Sequence, residues 1–330
     1  MAGLILTLDG QDPSLLLGTP SPQLGGWARV GQGLPYLVDW PGAVESLGGI
    51  GPLLAVLLGS GGNDPAVWAE AVGNVTATIQ GAGTVLALGH PSWMAGKTRP
   101  EGLEWLSLRQ GADWWATDLR EDSGRFRFRI FHQGRYVIEV RLRAPGLRYV
   151  VGALAATAAC EKLGVEAAAI RRGLEEFSGL SRDFEARGSF RGVTLVDDEA
   201  TDPGTVYDAL SLARRVFRGR RLWVVFAPAE AAVESAVVAR RYVAALTLAD
   251  RVTITDGRPS HHTAPHPYPL SAALDAAGVR LGRAVSIAEA ISELDQDLEP
   301  GDVLLTLGAG DVGTIADAFI RRLPRDRPGR

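Results

Sequence analysis

Residues 179–203 read Gly-Leu-Ser-Arg-Asp-Phe-Glu-Ala-Arg-Gly-Ser-Phe-Arg-Gly-Val-Thr-Leu-Val-Asp-Asp-Glu-Ala-Thr-Asp-Pro. A turn of mixed charge (Arg182, Asp183, Glu185) leads into a short apolar strand, Val193 to Val196. The strand ends in two carboxylates, Asp197 and Asp198, and a loop closes on Pro203. In open parallel sheets, ligands sit at the carboxyl ends of the strands. A pair of acids at such an end suits a ribose, a cation or an amine. Asp202 or Thr201 is placed to cap a following helix, with Pro203 at its first position. Capping and ligand binding are compatible roles for this loop.

Downstream of this stretch, strand and helix alternate. Strands are expected at 193–196, 222–226, 251–255 and 302–307, and helices at 204–217, 230–247, 286–294 and 312–322. That alternation predicts a parallel sheet covered by helices. The segment from Gly257 to Pro269 is polar and proline-rich and reads as a loop. Upstream, Leu4 to Leu8, Tyr36 to Val38, Leu53 to Leu58 and Thr84 to Leu88 are short apolar runs bounded by turn residues, expected as buried strands. Pro65 to Gln80 reads as a helix capped by Asp64. Residues 126–143 alternate apolar and polar around Gln133-Gly134, a hairpin with one wet face. Two helices follow, Ala153 to Leu163 and Val165 to Phe177.

The chain has 330 residues, 46% of them hydrophobic, with a formal net charge of −4. The length suggests two domains, and the charge gives no sign of a nucleic-acid or anionic-membrane partner. No run reaches the ~20 apolar residues of a membrane span, and the N-terminus lacks the basic region of a signal peptide. A cytoplasmic location is expected. Cys160 is the only cysteine, so no intrachain disulfide and no cysteine metal cluster can form. Lys97 and Lys162 are the only lysines, which limits lysine chemistry to two positions.

Three local patterns imitate functional motifs. Gly96-Lys97-Thr98 lacks the first glycine of a phosphate loop, since Pro91 holds that position, and Arg99-Pro100 follows in place of a helix. Gly308, Gly310 and Gly313 give Gly-x-Gly-x-x-Gly, read as a tight turn after the last strand, with Asp311 placed to face a ligand from that strand end. His261, His262 and His266 have metal-ligand spacing but lie among prolines that exclude a helix. His90 and His132 stand alone, and Trp114-Trp115 reads as packing in a core or at an interface.

Several segments, in order, resemble the Mur ligases, ATP-dependent amide ligases that build the peptidoglycan stem peptide. Arg182-Asp183-Phe184-Glu185 resembles the family's Arg-Arg-Phe-Glu. Asp197-Asp198-Glu199-Ala200-Thr201-Asp202-Pro203 is similar to its Asp-Asp-Tyr-Ala-His-His-Pro, and Val225-Phe226-Ala227-Pro228 to its Val-Phe-Gln-Pro-His. Gly301-Asp302-Val303 through Gly308-Ala309-Gly310-Asp311 resembles the closing Gly-Asp…Gly-Ala-Gly-Asp. A weaker likeness covers Gly10 to Ser14 and Gly31 to Val38.

The resemblance implies an α/β protein. Residues 1–179 would be the remnant of a central domain without its phosphate loop, and 180–330 a Rossmann-like parallel-sheet C-terminal domain. It also implies a site at Arg182, Asp197, Asp198, Thr201 and Asp311. There Asp197 takes the ribose- or adenine-side role, and Thr201 donates to a phosphate or carboxylate. The departures are specific. Asp183 replaces an ATP-contacting arginine, and Thr201 and Asp202 replace two histidines. The metal-binding glutamate would fall near Asp39 or Trp40, and the Asp-His pair near Asn63-Asp64.

A catalytically degenerate paralogue is therefore expected, with no catalytic residue, metal ligand or cofactor assigned. ATP and magnesium belong only to the alternative, an amide ligase whose missing parts come from a partner protein. A homodimer is the other expected partnership.

Overall fold

A computed structural model describes residues 1–39, 52–58, 65–79, 83–91, 98–228, 236–255, 269–282, 286–308 and 310–322. The chain divides into two compact units, Met1–Ser178 and Gly179–Arg330.

The first unit opens with helix α1 (Ala2–Leu8), where the sequence suggested a strand. An unbroken apolar run has no periodicity to separate the two forms. Leu4, Ile5 and Leu6 are all buried, because the helix lies against two others. Those are α3 (Leu147–Lys162) and α4 (Ala167–Glu176). Gly173 of α4 admits the close approach: a Cβ there would stand 2.9 Å from the Ile5 Cα.

Strands β1 (Ser14–Ser21), β2 (Gly26–Arg29) and β3 (Tyr36–Val38) form a small sheet with β1 central. A six-stranded sheet runs in chain order through β4 (Leu54–Leu57), β5 (Thr84–Leu88), β6 (Leu103–Ser107), β7 (Trp114–Asp122), β8 (Arg125–His132) and β9 (Arg135–Arg141). Its first four strands are parallel and its last three antiparallel. The expected hairpin at Gln133-Gly134 is present as β8–β9, but β6 and β7 went unread in the sequence. Helix α2 (Pro65–Thr78) packs Trp68, Val72 and Val75 on Val85, Leu103 and Trp105. Asp64, expected as its cap, lies outside the described residues.

Trp114 and Trp115 are core, the first of the two settings expected. His132 does not stand alone: it stacks on Trp114 at 3.9 Å, between Glu104 and Glu161. Burial holds its imidazole below the usual histidine range, against the pull of both carboxylates. Cys160 is fully buried in α3, and burial pushes its thiol up to about 12.

The second unit is a five-stranded sheet in the order β10-β11-β14-β12-β13. Its strands are β10 (Glu185–Phe190), β11 (Val193–Asp198), β12 (Leu222–Ala227), β13 (Arg251–Ile254) and β14 (Val303–Gly308). All are parallel except β10, which the sequence showed only as a charged turn. Every residue of β12 and β14 is buried, as expected for a sheet covered on both faces.

Helices α5 (Pro203–Val216), α6 (Ala236–Leu246) and α7 (Pro269–Ala276) supply one layer, packed on Val224, Phe226 and Leu305. Helices α8 (Ile287–Asp297) and α9 (Thr314–Arg321) supply the other, packed on Trp223, Val225 and Leu304. Successive β12 side chains thus enter opposite cores. Helix α7 begins inside the stretch read as a loop; residues 257–268 of that stretch, with the three histidines, lie outside the described residues.

Candidate functional site

The carboxyl ends of β11 and β14 meet at one buried acid. Asp197 is fully buried. Its Oδ1 accepts the Thr306 hydroxyl of β14 at 2.7 Å, and its Oδ2 accepts Arg182 Nε at 3.0 Å. The same guanidinium donates to the Gly308 carbonyl at 2.8 Å and to the Gly310 carbonyl at 3.2 Å. Arg182 therefore ties the end of β11 to the turn that leaves β14. Gly313 closes the pocket from the other side: a Cβ there would lie 2.5 Å from Asp197 Oδ2. Arg187 stands 3.9 Å from the same oxygen and pairs with Asp317 on α9.

Asp198 faces a different task. Its Oδ2 accepts the Phe184 amide at 2.9 Å and its Oδ1 the Ala200 amide at 2.8 Å. The first bond matters because Arg182 and Phe184 both adopt left-handed backbone, with φ of 55° and 52°. Such conformations cost a non-glycine residue free energy and persist only where surrounding bonds enforce them. The enforcing bonds are Phe184 to Asp198, the Arg182 amide to Glu185 at 2.9 Å, and the Glu199 amide to the Arg182 carbonyl at 2.8 Å.

The loop that follows is also largely committed. The Thr201 carbonyl accepts the Tyr242 hydroxyl at 2.5 Å. Asp202 is the cap of α5, accepting the Gly204 amide at 3.0 Å and the Thr205 amide at 3.2 Å. The Thr205 hydroxyl bond, with those amides, holds the Asp202 carboxyl below its usual range. Replacing Asp202 by alanine should cost about 1 kcal/mol. Denaturant unfolding against the parent chain measures it, and an unchanged midpoint would contradict the cap. Asp311 is exposed on the short helical turn Gly310–Gly313, where its carbonyl accepts the Thr314 hydroxyl at 2.6 Å.

Of the five residues read from the sequence, the fold brings Arg182 and Asp197 into direct contact. Asp198 is adjacent but bonded elsewhere, and Thr201 and Asp311 flank the knot without bonding to it. Sequence reading missed Thr306, Gly308 and Gly313 as parts of the site. Thr306 carried a signal: a hydroxyl in the otherwise apolar run Val303-Leu304-Leu305-Thr306-Leu307 needs a buried partner. Among the described residues, no group of three or more His, Cys, Asp or Glu side chains could hold a metal ion.

Comparison with known proteins bears on the family and the fold. Residues 184–310 match the family described as Mur ligase, glutamate ligase domain. A UDP-N-acetylmuramate–L-alanine ligase of Paenarthrobacter aurescens is 30% identical over 98% of this chain and 72% of its own length. One of Salinibacter ruber is 27% identical over 99% of the chain and 71% of its length. Among solved structures, the UDP-N-acetylmuramate–alanine ligase of Thermotoga maritima superposes with a TM-score of 0.78, at 19% identity, over 97% of this chain and 71% of that one. The folylpolyglutamate synthase of the same organism gives 0.68 at 13% identity, over 97% and 85%. These two structures share the fold.

Proposed function

The chain belongs to the Mur ligases, and on that footing we propose that it is a catalytically degenerate paralogue in peptidoglycan precursor metabolism, keeping the fold to bind a partner or a small ligand. The observation that supports this most is how the strand-end acids are used. Both oxygens of Asp197 and both of Asp198 are occupied by groups of the protein itself. Asp198 braces two backbone amides and Asp197 joins Arg182 to Thr306, so both acids serve the protein's own structure. Asp183 adds a negative charge beside Arg182, where the family's resemblance places an arginine toward ATP. Phosphoryl transfer depends on neutralising charge around the moving group, and an acid in that position opposes it.

A second reading, an ATP-dependent amide ligase working with a partner protein, has one observation in its favour. Arg182 uses one N–H on each nitrogen in the knot. A guanidinium carries further N–H groups, and they remain available to a phosphate. ADP release separates the readings. With UDP-N-acetylmuramate, L-alanine and magnesium-ATP, the purified chain, alone or with the products of neighbouring genes, should release ADP at the rate of a blank without acceptor. Acceptor-dependent ADP formation that disappears in Arg182→Ala would establish the second reading instead.

A further inference from the structure

One face of the β7–β8–β9 sheet carries a row of arginines that the preceding site does not use. Along β8, Arg125, Arg127 and Arg129 alternate with the buried Phe126, Phe128 and Ile130. Arg127 pairs in register with Arg120 of β7 on one side and with Arg141 of β9 on the other. Residues directly opposite share a face, with Cβ atoms about 5 Å apart. Three guanidinium stems therefore stand in line across about 10 Å of sheet. Like charges in that relation destabilise a sheet.

The neighbouring row shows the usual remedy. Arg129 meets both Asp118 and Glu139 at 3.1 Å, and Glu139 also accepts Arg127 Nε at 2.7 Å. Arg120 and Arg141 have no such relief: among the described residues neither forms an ion pair, whereas Arg125 stands in register opposite Asp122. All three line an open cleft of about 590 Å³ together with Arg127. That volume lies within the range of small-molecule sites. The chain as a whole is acidic, at −4, so the row is not a sample of general basicity.

We infer that this cleft binds a compact polyanion with two or more adjacent phosphate groups. Arginine forks engage phosphate oxygens in pairs, and several forks in line need several such oxygens. The acids of the lining restrict the occupant. Glu121, Asp122, Glu139 and Glu175 line the same cleft, Glu139 already holding Arg127, and would repel an acidic chain longer than the stretch opposite Arg120 and Arg141. A short phosphate chain fits between them, and it has two sources: inorganic polyphosphate or the tail of a nucleotide.

Calorimetric titration of the full chain with sodium tripolyphosphate tests the assignment. Binding is expected at low ionic strength and should weaken steeply with added salt. The exposed double variant Arg120→Gln/Arg141→Gln should bind about 100-fold more weakly, at roughly tenfold per charge-assisted contact. Its ligand-free melting temperature should equal or exceed the parent's, since it removes repulsion. Displacement of tripolyphosphate by ATP would assign the nucleotide as source, and failure to displace would assign inorganic polyphosphate; both keep the site. No heat with the parent chain, equal affinity in the variant, or a lower melting temperature in the variant would overturn it.

Discussion

Asp197→Ala should destabilise the second unit by about 3 kcal/mol or more. Removing one member of a buried pair strands the other, at a cost of roughly 3–5 kcal/mol. Arg182 is 28% exposed and can regain some water, which argues for the lower end. Thr306 is fully buried and cannot regain water, but its hydroxyl keeps the Val196 carbonyl at 3.2 Å as a second acceptor, which also argues for the lower end. The loss spreads further, since Arg182 would no longer hold the Gly308 and Gly310 carbonyls in register with β11. Asp197→Asn is the informative companion. It keeps the shape and the oxygen facing Thr306 while removing the charge facing Arg182, so it should cost about 1–3 kcal/mol. The two units need not unfold together. Hydrogen exchange of peptides from β11 and β14 is therefore the sharper measurement. Equal protection in parent, alanine and asparagine variants would mean that the knot is decoration on a sheet held by its cores alone.

The second unit was legible in the sequence because its signals agree. β12 is an unbroken apolar run, β14 is apolar apart from Thr306 up to its closing glycine, and α5 begins with Asp202-Pro203, a side-chain cap followed by the residue preorganised for a first turn. β10 was missed because Glu185 to Phe190 alternates without hydrophobic contrast; only Phe190 is buried. It exists as an edge strand paired antiparallel to β11, a tertiary fact with little local signature. The first unit was harder. α1 imitates a buried strand, and β6 and β7 contain Trp105, Trp114 and Trp115 among charged residues that mask a period of two.

The candidate site was legible in its residues but not in their use. Asp197 and Asp198 stand where a ligand-binding pair would stand, and composition cannot reveal that one locks an arginine while the other holds a strained turn. The left-handed backbone at Arg182 and Phe184 is the cause, and it becomes visible only in three dimensions.

Gly308→Ala should be among the most damaging single substitutions in the second unit, at about 4 kcal/mol. Two independent penalties coincide there. Its φ of 118° is a conformation that L side chains rarely adopt, worth roughly 1–3 kcal/mol. A Cβ would also overlap the backbone carbonyl of Ala227, its register partner on β12. A flexible side chain could move aside, but a carbonyl in a parallel ladder moves only if β12 and β14 part. Overpacking of that kind adds typically about 1–3 kcal/mol. The Gly308 carbonyl, which accepts Arg182, would be displaced as well, so the damage should reach β11. Gly219→Ala separates the two penalties. Gly219 also has positive φ, at 73°, but nothing lies within 4 Å of the added carbon. It should therefore cost only about 1 kcal/mol of backbone strain. Exchange protection across β12 and β14 should collapse in the Gly308 variant and hold in the Gly219 variant. If the two behave alike, the close approach of these strand ends is not what demands glycine, and the geometry that places Arg182 over the turn has been misread.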